Sequence, residues 1–412
     1  MAGVEHAKRV HGMQSIASQE IPHSRDGGTV DLGNGSPDFP PPEFVTAALQ
    51  LAISDSTMHQ YTRDLGHVRL VTALANMYSY LTGHEIDPFE EVLVTVGAYG
   101  AMHSTVQGLV DPGDEVILIE PYFEYYEAMI RMAEGVPVFA PLRPINKDQI
   151  TSSDWLLDME DLASKFNSRT KMIILNTPHN LLGKVFSRGE LEMISRLCIK
   201  HNVICVMDEA YEWIIFEGAT HSRMNTLSGM WERTITIGSV APTFGVFGWK
   251  IGWAYGPRSL LRGLRLVHQN FLALVSTLLQ EAASVILERT MEQIADHAGY
   301  LGTFLDSLQQ KRDFMCSALK SVGILPAMPD GGYFIVCDFS AIGTKFDLDG
   351  NESKDYLFTK WLASKKNLRV VPLSTFYSVD HKHLAEDFIR ISFVKKDSTL
   401  QKAAAIFMEL AT

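Results

Sequence analysis

Short apolar runs alternate with helix-like stretches from about residue 90 to residue 290. Runs at 92–96, 115–119, 171–175, 203–207 and 234–237 are almost continuously apolar. A strand with one wet face alternates polar and apolar residues, so unbroken runs point to strands covered on both faces. The stretch 188–201 between two of them reads as a helix. Strand–helix alternation of this kind predicts an α/β fold, with a large domain built on a mostly parallel central sheet. Past residue 290 the pattern changes. One long helix is expected over about 293–322, followed by strand-like pieces at 331–336, 369–371 and 388–393. That part reads as a smaller α+β domain. The polar stretch 342–354 reads as an exposed loop. Its Asp347-Leu348-Asp349-Gly350-Asn351 starts like a calcium loop, but the ligand spacing does not continue, so a solvated turn is expected.

Ligands of such sheets bind at the carboxyl ends of the strands, so the residues that follow each run carry the functional reading. After Val96 come Gly97-Ala98-Tyr99-Gly100 and a helical pattern. Glycine allows close backbone approach and a helix N-terminus favours phosphate, although a plain strand–helix turn would look the same. After Met207 comes Asp208, a carboxylate whose burial is costly without a partner. A ring cation would serve, and so would a cap or a salt bridge. Asn176-Thr177-Pro178-His179-Asn180 is a further polar cluster, in which His179 reads as a loop hydrogen-bonder rather than a base. Ser239, Gly245, Gly248 and Lys250 after the last run again suit a phosphate. Arg390 is a cation inside an apolar strand pattern, which calls for a buried anion: a ligand carboxylate or a structural ion pair.

Composition narrows the class without naming the chemistry. The chain has 412 residues, 46% hydrophobic and 20% charged, as expected for a soluble protein of about two domains. A formal charge of -12 argues against general nucleic-acid binding. Cys198, Cys205, Cys316 and Cys337 show neither metal spacing nor a disulfide framework, which fits a reducing compartment. Residues 1–20 lack an apolar signal core and no 18-residue apolar run is present, so no membrane association and a cytoplasmic location are expected.

Several strings occur together: Gly35-Ser36-Pro37-Asp38-Phe39-Pro40, Gln60-Tyr61-Thr62, Thr95-Val96-Gly97-Ala98-Tyr99-Gly100, Glu120-Pro121-Tyr122-Phe123, Asp208-Glu209-Ala210-Tyr211, Trp231-Glu232-Arg233-Thr234, Gly248-Trp249-Lys250 and Gly331-Gly332-Tyr333-Phe334. In this combination the chain resembles class I/II pyridoxal-phosphate (PLP) aminotransferases of fold type I. The likeness is to the kynurenine aminotransferase, cysteine-S-conjugate β-lyase and glutamine transaminase K group. It implies an N-terminal arm and part of the small domain over 1–44, a large PLP-binding domain over 45–290 and a small domain over 291–412. It implies that Asp208 pairs with the cofactor ring nitrogen, which lets the ring act as an electron sink. Asn180 and Tyr211 would bond the ring 3-oxygen and Phe123 would stack on the ring. Ala98, Tyr99, Ser239 and Lys250 would hold the phosphate, and Tyr61 would reach it from the second subunit of a homodimer. Gly35 and Arg390 would bind the carboxylate of an amino acid or 2-oxo acid.

The same alignment of strings places Pro242, in Gly238-Ser239-Val240-Ala241-Pro242-Thr243-Phe244, where the family carries its cofactor-linking lysine. Proline has no amine for the covalent link and none to move a proton. Neighbouring positions depart as well. Ala241 stands where glycine is usual and Gly245 where serine is usual. Leu181 follows Asn180 in place of proline. Phe271-Leu272-Ala273-Leu274 replaces an aromatic–His pair, and residues 12–29 lack the group's tryptophan-bearing pattern. Three readings follow: a pseudoenzyme that keeps PLP or pyridoxamine phosphate non-covalently, an enzyme that works with a non-covalent cofactor, and a non-catalytic partner in a heterodimer with an active paralogue. No metal site is expected.

Overall fold

A computed structural model describes residues 28–145, 151–294, 299–343, 345–346 and 350–410. Residues 12–27 and the 347–349 part of the calcium-like turn lie outside the described residues. In chain order the strands are β1 (Val30–Asp31), β2 (Val92–Val96), β3 (Glu115–Glu120), β4 (Val136–Pro144), β5 (Trp155–Leu157), β6 (Thr170–Asn176), β7 (Ile204–Asp208), β8 (Thr234–Ser239), β9 (Ile251–Tyr255), β10 (Leu325–Ala327), β11 (Phe334–Asp338), β12 (Leu368–Arg369), β13 (Val371–Pro372) and β14 (Phe388–Ser392).

The large sheet has the order β2-β9-β8-β7-β6-β3-β4-β5. Its central pairings, from β8 through β7, β6 and β3 to β4, are parallel. Strand β9 is antiparallel to both neighbours, and β5 is antiparallel to β4. The unbroken apolar runs have the cause expected of them. Ile117, Ile173, Leu175 and Met207 pack with Leu191 and Ile194 of helix Arg188–His201 on one face. Their even-numbered neighbours Leu118, Ile174 and Val206 pack with Val106 and Ile130 on the other. Each such side chain contributes roughly 1.5–3 kcal/mol on burial.

This topology decides where chemistry can gather. Strands β2, β3, β6, β7 and β8 run the same way, so Gly97, Pro121, Asn176, Asp208 and Ser239 all fall at one edge of the sheet. Strand β9 runs against them and begins at that edge, which brings Lys250 there too. The apolar pattern does not pick out β9, because the five residues of the strand follow directly on a glycine-rich loop.

A second sheet, β10-β11-β14-β13, is antiparallel throughout. Its register sets Val336 opposite Arg390 and Phe334 opposite Ser392. The short strand β1 pairs in parallel with β12 and leads residues 32–36 across this sheet, where Ser392 N–H donates to the Leu32 carbonyl at 2.7 Å.

Three expectations need correction. The single helix over 293–322 is two helices, Thr277–Ile294 and Tyr300–Ser321. Gly299 caps the second at φ 85°, a conformation that interrupts helical register and favours glycine. The strand at 369–371 is split, since Leu368–Arg369 pairs with β1 and Val371–Pro372 with β14; Pro372 has no N–H with which to continue the ladder. The loop at 342–354 is anchored: Ile342 is buried in the short helix Ser340–Gly343, and Phe346 packs on Trp361 at a centroid distance of 4.6 Å.

Candidate active site

An anion cradle sits where β2, β8 and β9 meet. Gly97 opens helix Gly97–Leu109 at φ 66°, and no side chain caps the helix start, so its first amides are free to receive a ligand. Gly252 backs directly onto this turn. A Cβ at Gly252 would lie 2.3 Å from Gly97 C and 2.4 Å from Ala98 N, a contact that only glycine permits. The Lys250 side chain runs along Gly97, with Cδ 3.7 Å from where a Cβ of that glycine would stand. The Ser239 hydroxyl, at the end of β8, accepts from Ala241 N–H at 3.1 Å. Tyr99 is half-exposed and edge-on to Tyr125. Helix-start amides, a hydroxyl and a lysine side chain thus meet at one corner of the sheet, a donor set suited to a phosphate.

Next along the edge, Asp208 is buried. Tyr126 donates to its Oδ2, Ala210 N–H donates to its Oδ1 at 3.1 Å, and Asn176 Nδ2 donates to its backbone carbonyl at 2.9 Å. Burial pushes its carboxyl pKa up, and the Tyr126 and Ala210 donors only partly pull it back. A cationic N–H would complete this pairing. Beside it, Tyr211 OH donates to Asn180 Oδ1 at 3.1 Å, and Asn180 N–H donates to Asn176 Oδ1 at 2.5 Å. Burial raises the Tyr211 pKa, so it stays a neutral phenol that can hand a hydrogen bond to an oxyanion. Phe123 stands edge-on to Tyr126 at 5.8 Å.

The small sheet supplies the third corner. Arg390 is 7% exposed, and its guanidinium lies 4.2 Å from the Phe334 ring centroid and 5.2 Å from that of Phe376. Its Nη2 donates to the Gly33 carbonyl at 3.1 Å, while Nε has no hydrogen-bond partner among the described residues. Burial lowers its pKa to about 10, so it remains charged at neutral pH. The structural ion pair that the sequence left open is therefore not made within the described residues. Gly35 acts through packing: a Cβ there would lie 2.6 Å from Phe334 Cζ, so glycine lets the arm close over the ring that supports Arg390. Tyr211 stands 6.4 Å from the same ring, which joins the ring-oxygen donors to the carboxylate clamp.

Pro242 lies buried at the end of β8 in the first turn of helix Ala241–Phe244, where a missing N–H breaks no helical bond. Its carbonyl accepts from the fully buried Tyr333 hydroxyl at 3.1 Å. Two lysines, Lys184 and Lys250, have other places in the fold. Lys184 is buried and ion-paired with Glu190 at 2.8 Å, and Lys250 belongs to the cradle. His179 is a loop hydrogen-bonder: its Nδ1 accepts from Leu181 and Leu182 N–H at 3.2 Å, and burial pushes its pKa down to about 3, which keeps the ring neutral. Leu181 is fully buried.

The structure therefore brings Ala98, Ser239, Lys250, Asp208, Asn180 and Tyr211 to one edge of the large sheet, and Arg390 of the small sheet meets them through Phe334 and Tyr211. Tyr61 is set apart at 91% exposure and lines a groove of about 450 Å³ with Met58, Gln60, Leu274 and Leu278. Residues the sequence did not single out are Tyr126, Asn176, Tyr333, Phe334 as a platform, and Phe376. Three of them, Asn176, Tyr333 and Phe334, sit in strings that the sequence displays, but their pairing with Asp208, Pro242 and Arg390 is set by tertiary contacts.

Comparison with known proteins shows the family and the fold. Residues 28–407 match the family described as aminotransferase class I and II. The chain is 46% identical to kynurenine–oxoglutarate transaminase 3 of Mus musculus over 407 residues, covering 98% of this chain and 90% of the relative. It is 46% identical to kynurenine–oxoglutarate transaminase 1 of Homo sapiens, with 90% of each covered. Among solved structures, the N-succinyldiaminopimelate aminotransferase of Mycobacterium tuberculosis superposes with a TM-score of 0.87 at 32% identity, covering 98% of this chain and all of that one. The chain has the fold type I architecture of PLP-dependent aminotransferases and belongs to the class I and II aminotransferase family.

Proposed function

We propose that this chain is a kynurenine-aminotransferase-like protein that binds PLP or pyridoxamine phosphate without a covalent link and does not run ordinary transamination. The observation that carries the reading is a proline at residue 242, where the sequence resemblance sets the family's lysine; it is buried and carbonyl-bonded, among donors that suit the cofactor. The donor set fits the cofactor. The cradle at Ala98, Tyr99, Ser239 and Lys250 would hold its phosphate, Asp208 its ring nitrogen, Asn180 and Tyr211 its 3-oxygen, and Phe123 its ring face. When bound, the cofactor supplies an electron sink for bonds at an amino acid's α-carbon.

This chain's own residues then bind and orient. Asp208, buried and raised in pKa, gains most from a cationic partner. Arg390 holds a carboxylate against the Phe334 platform. No side chain at position 242 can hold or move a proton, and general acid–base catalysis of that kind is typically worth about 10²–10⁴-fold. The exposed Tyr61 and the groove beside it support a homodimer in which this tyrosine serves the neighbouring subunit. Four buried free cysteines support a reducing, cytoplasmic setting.

The test is reduction with borohydride after PLP is added, followed by mass analysis of the peptide that spans residue 242. Wild-type protein is expected to bind PLP by titration yet carry no pyridoxyl mass on that peptide, whereas Pro242→Lys carries it. Turnover of an amino acid and a 2-oxo acid by the wild type at about 1–10³ per second, the ordinary range of enzymes, would overturn the reading.

A further inference from the structure

Strands β2, β3, β6, β7 and β8 end at the sheet edge where the site gathers, and β2, β6, β7 and β8 bring site groups there: Gly97, Asn176, Asp208 and Ser239. Strand β3 ends differently. Its last residue, Glu120, is fully buried, and both carboxyl oxygens bond to the loop that follows β13 of the small sheet. Ser378 N–H donates to Oε1 at 2.5 Å, and His381 Nδ1 bonds to Oε2. Close by, Tyr122 N–H donates to the Phe376 carbonyl at 2.9 Å.

We infer that Glu120 and His381 form a clasp between the two sheets that places Phe376 against Arg390, which makes them positioning residues for the anion that Arg390 receives. The inference rests on the reading that Arg390 holds a ligand carboxylate. The two rings beside that guanidinium are held by different means. Phe334 lies on β11, hydrogen-bonded to the strand that carries Arg390, so the ladder itself fixes its place. Phe376 ends the short helix Leu373–Phe376, outside any ladder, with its ring 5.2 Å from the guanidinium. Asp355 anchors the start of that helix through Ser374. Its far end is held from the large sheet, by Tyr122 and Glu120.

Burial favours placement over adhesion as the role of this contact. A carboxyl group inside the protein is costly unless its oxygens are bonded. Even well bonded, a buried polar pair adds little net stability compared with apolar side chains of the same volume. Such a group is a poor adhesive and a good locator, because each oxygen accepts only from a donor at a set place. Here both donors belong to one loop, at residues 378 and 381. The loop cannot slide along the end of β3 without leaving an oxygen of a fully buried residue unmet. His381 is the half that can be changed safely: its side chain is partly exposed, so truncation opens no closed cavity.

The test titrates the full chain with 3-phenylpropanoate and with its uncharged amide, read by ligand-observed NMR, in wild type, His381→Ala and His381→Asn. The phenyl tail suits a cation set between two rings. Wild type is expected to prefer the acid about 10- to 100-fold, the worth of charge-assisted hydrogen bonds. In His381→Ala the preference shrinks to about threefold or less, while pyridoxamine phosphate affinity changes by less than about twofold. His381→Asn, which carries a side-chain N–H as far from the backbone as Nδ1, restores the preference. A preference that survives in His381→Ala overturns the inference, and so does an asparagine variant that behaves like the alanine one. Equal loss of acid, amide and pyridoxamine phosphate binding in His381→Ala also overturns it, as the mark of a fold loosened throughout. If the wild type shows no preference, the reading of Arg390 falls and this inference with it. If pyridoxamine phosphate does not bind while the acid preference depends on His381, the cofactor reading falls and this inference stands.

Discussion

The carboxyl ends of β7 and β8 lie side by side in one sheet, Asp208 in register with Ile237, yet they offer a ligand opposite things. At the end of β7 a carboxylate is kept in a state of unmet pairing: buried, raised in pKa, with two donors and room for a cation. At the end of β8 the residue itself is satisfied. Pro242 fits the first helical turn, its carbonyl is bonded, and Phe244 and Val246 bury with the strand-side core. A site keeps function by holding groups the fold would prefer to satisfy, and it loses function quietly where a residue suits the backbone. The β8 corner has become good structure, and the β7 corner has not.

The largest test of this contrast reverses the β8 corner. Pro242→Lys, assayed with an amino acid and a 2-oxo acid, is expected to raise the transamination rate by roughly 10²–10⁴-fold, and an unchanged rate would mean the remaining donors are not set for chemistry. Next, Asp208→Asn should weaken pyridoxamine phosphate binding about 10- to 100-fold by calorimetry, as a charge-assisted bond is lost. Gly252→Ala tests the cradle, since its new Cβ meets backbone at 2.3 Å. Overpacking should cost about 1–3 kcal/mol in denaturant unfolding and reduce phosphate affinity as well.

Without ligand, Asp208→Asn should have the opposite sign. A carboxyl whose folded pKa is raised binds its proton more readily folded than unfolded. Its contribution is fully favourable below the unfolded value near 3.9 and is lost as pH rises through the folded value. The variant should thus be more stable than wild type at pH 7, with the gain gone below pH 4, as denaturant unfolding at the two pH values would show. The smallest effect is expected for Tyr333→Phe, which removes one buried bond to the Pro242 carbonyl. It should cost about 0.5–1.5 kcal/mol in unfolding and leave pyridoxamine phosphate affinity unchanged.

Much of the large sheet was legible in the apolar runs, because strands covered on both faces leave an unbroken signal. The run expected at 171–175 is β6 at Thr170–Asn176, and the helix expected at 188–201 is Arg188–His201. Strand β9 was not legible, since a five-residue strand beside a glycine-rich loop has no pattern of its own. The helix break near Gly299 was missed because amphipathic periodicity runs on through a residue whose backbone angle decides the matter. Among site residues, the polar strand ends were visible as types out of place, whereas Tyr126 and Phe376 were not, because aromatic side chains are unremarkable until their neighbours are known.

By itself, the sequence determined that strand ends would carry the chemistry, that Arg390 would need an anion, and that position 242 has no amine. These follow from periodicity and from the chemistry of single residues. Only the tertiary structure decided that Arg390 is left with Nε unpartnered among the described residues, between Phe334 and Phe376, that Lys184 is already held by Glu190, and that the proline sits in a first helical turn where its missing N–H breaks no helical bond. Pairing and desolvation are properties of neighbours far apart in the chain. They set which of the charged groups are spent on stability and which remain for a ligand.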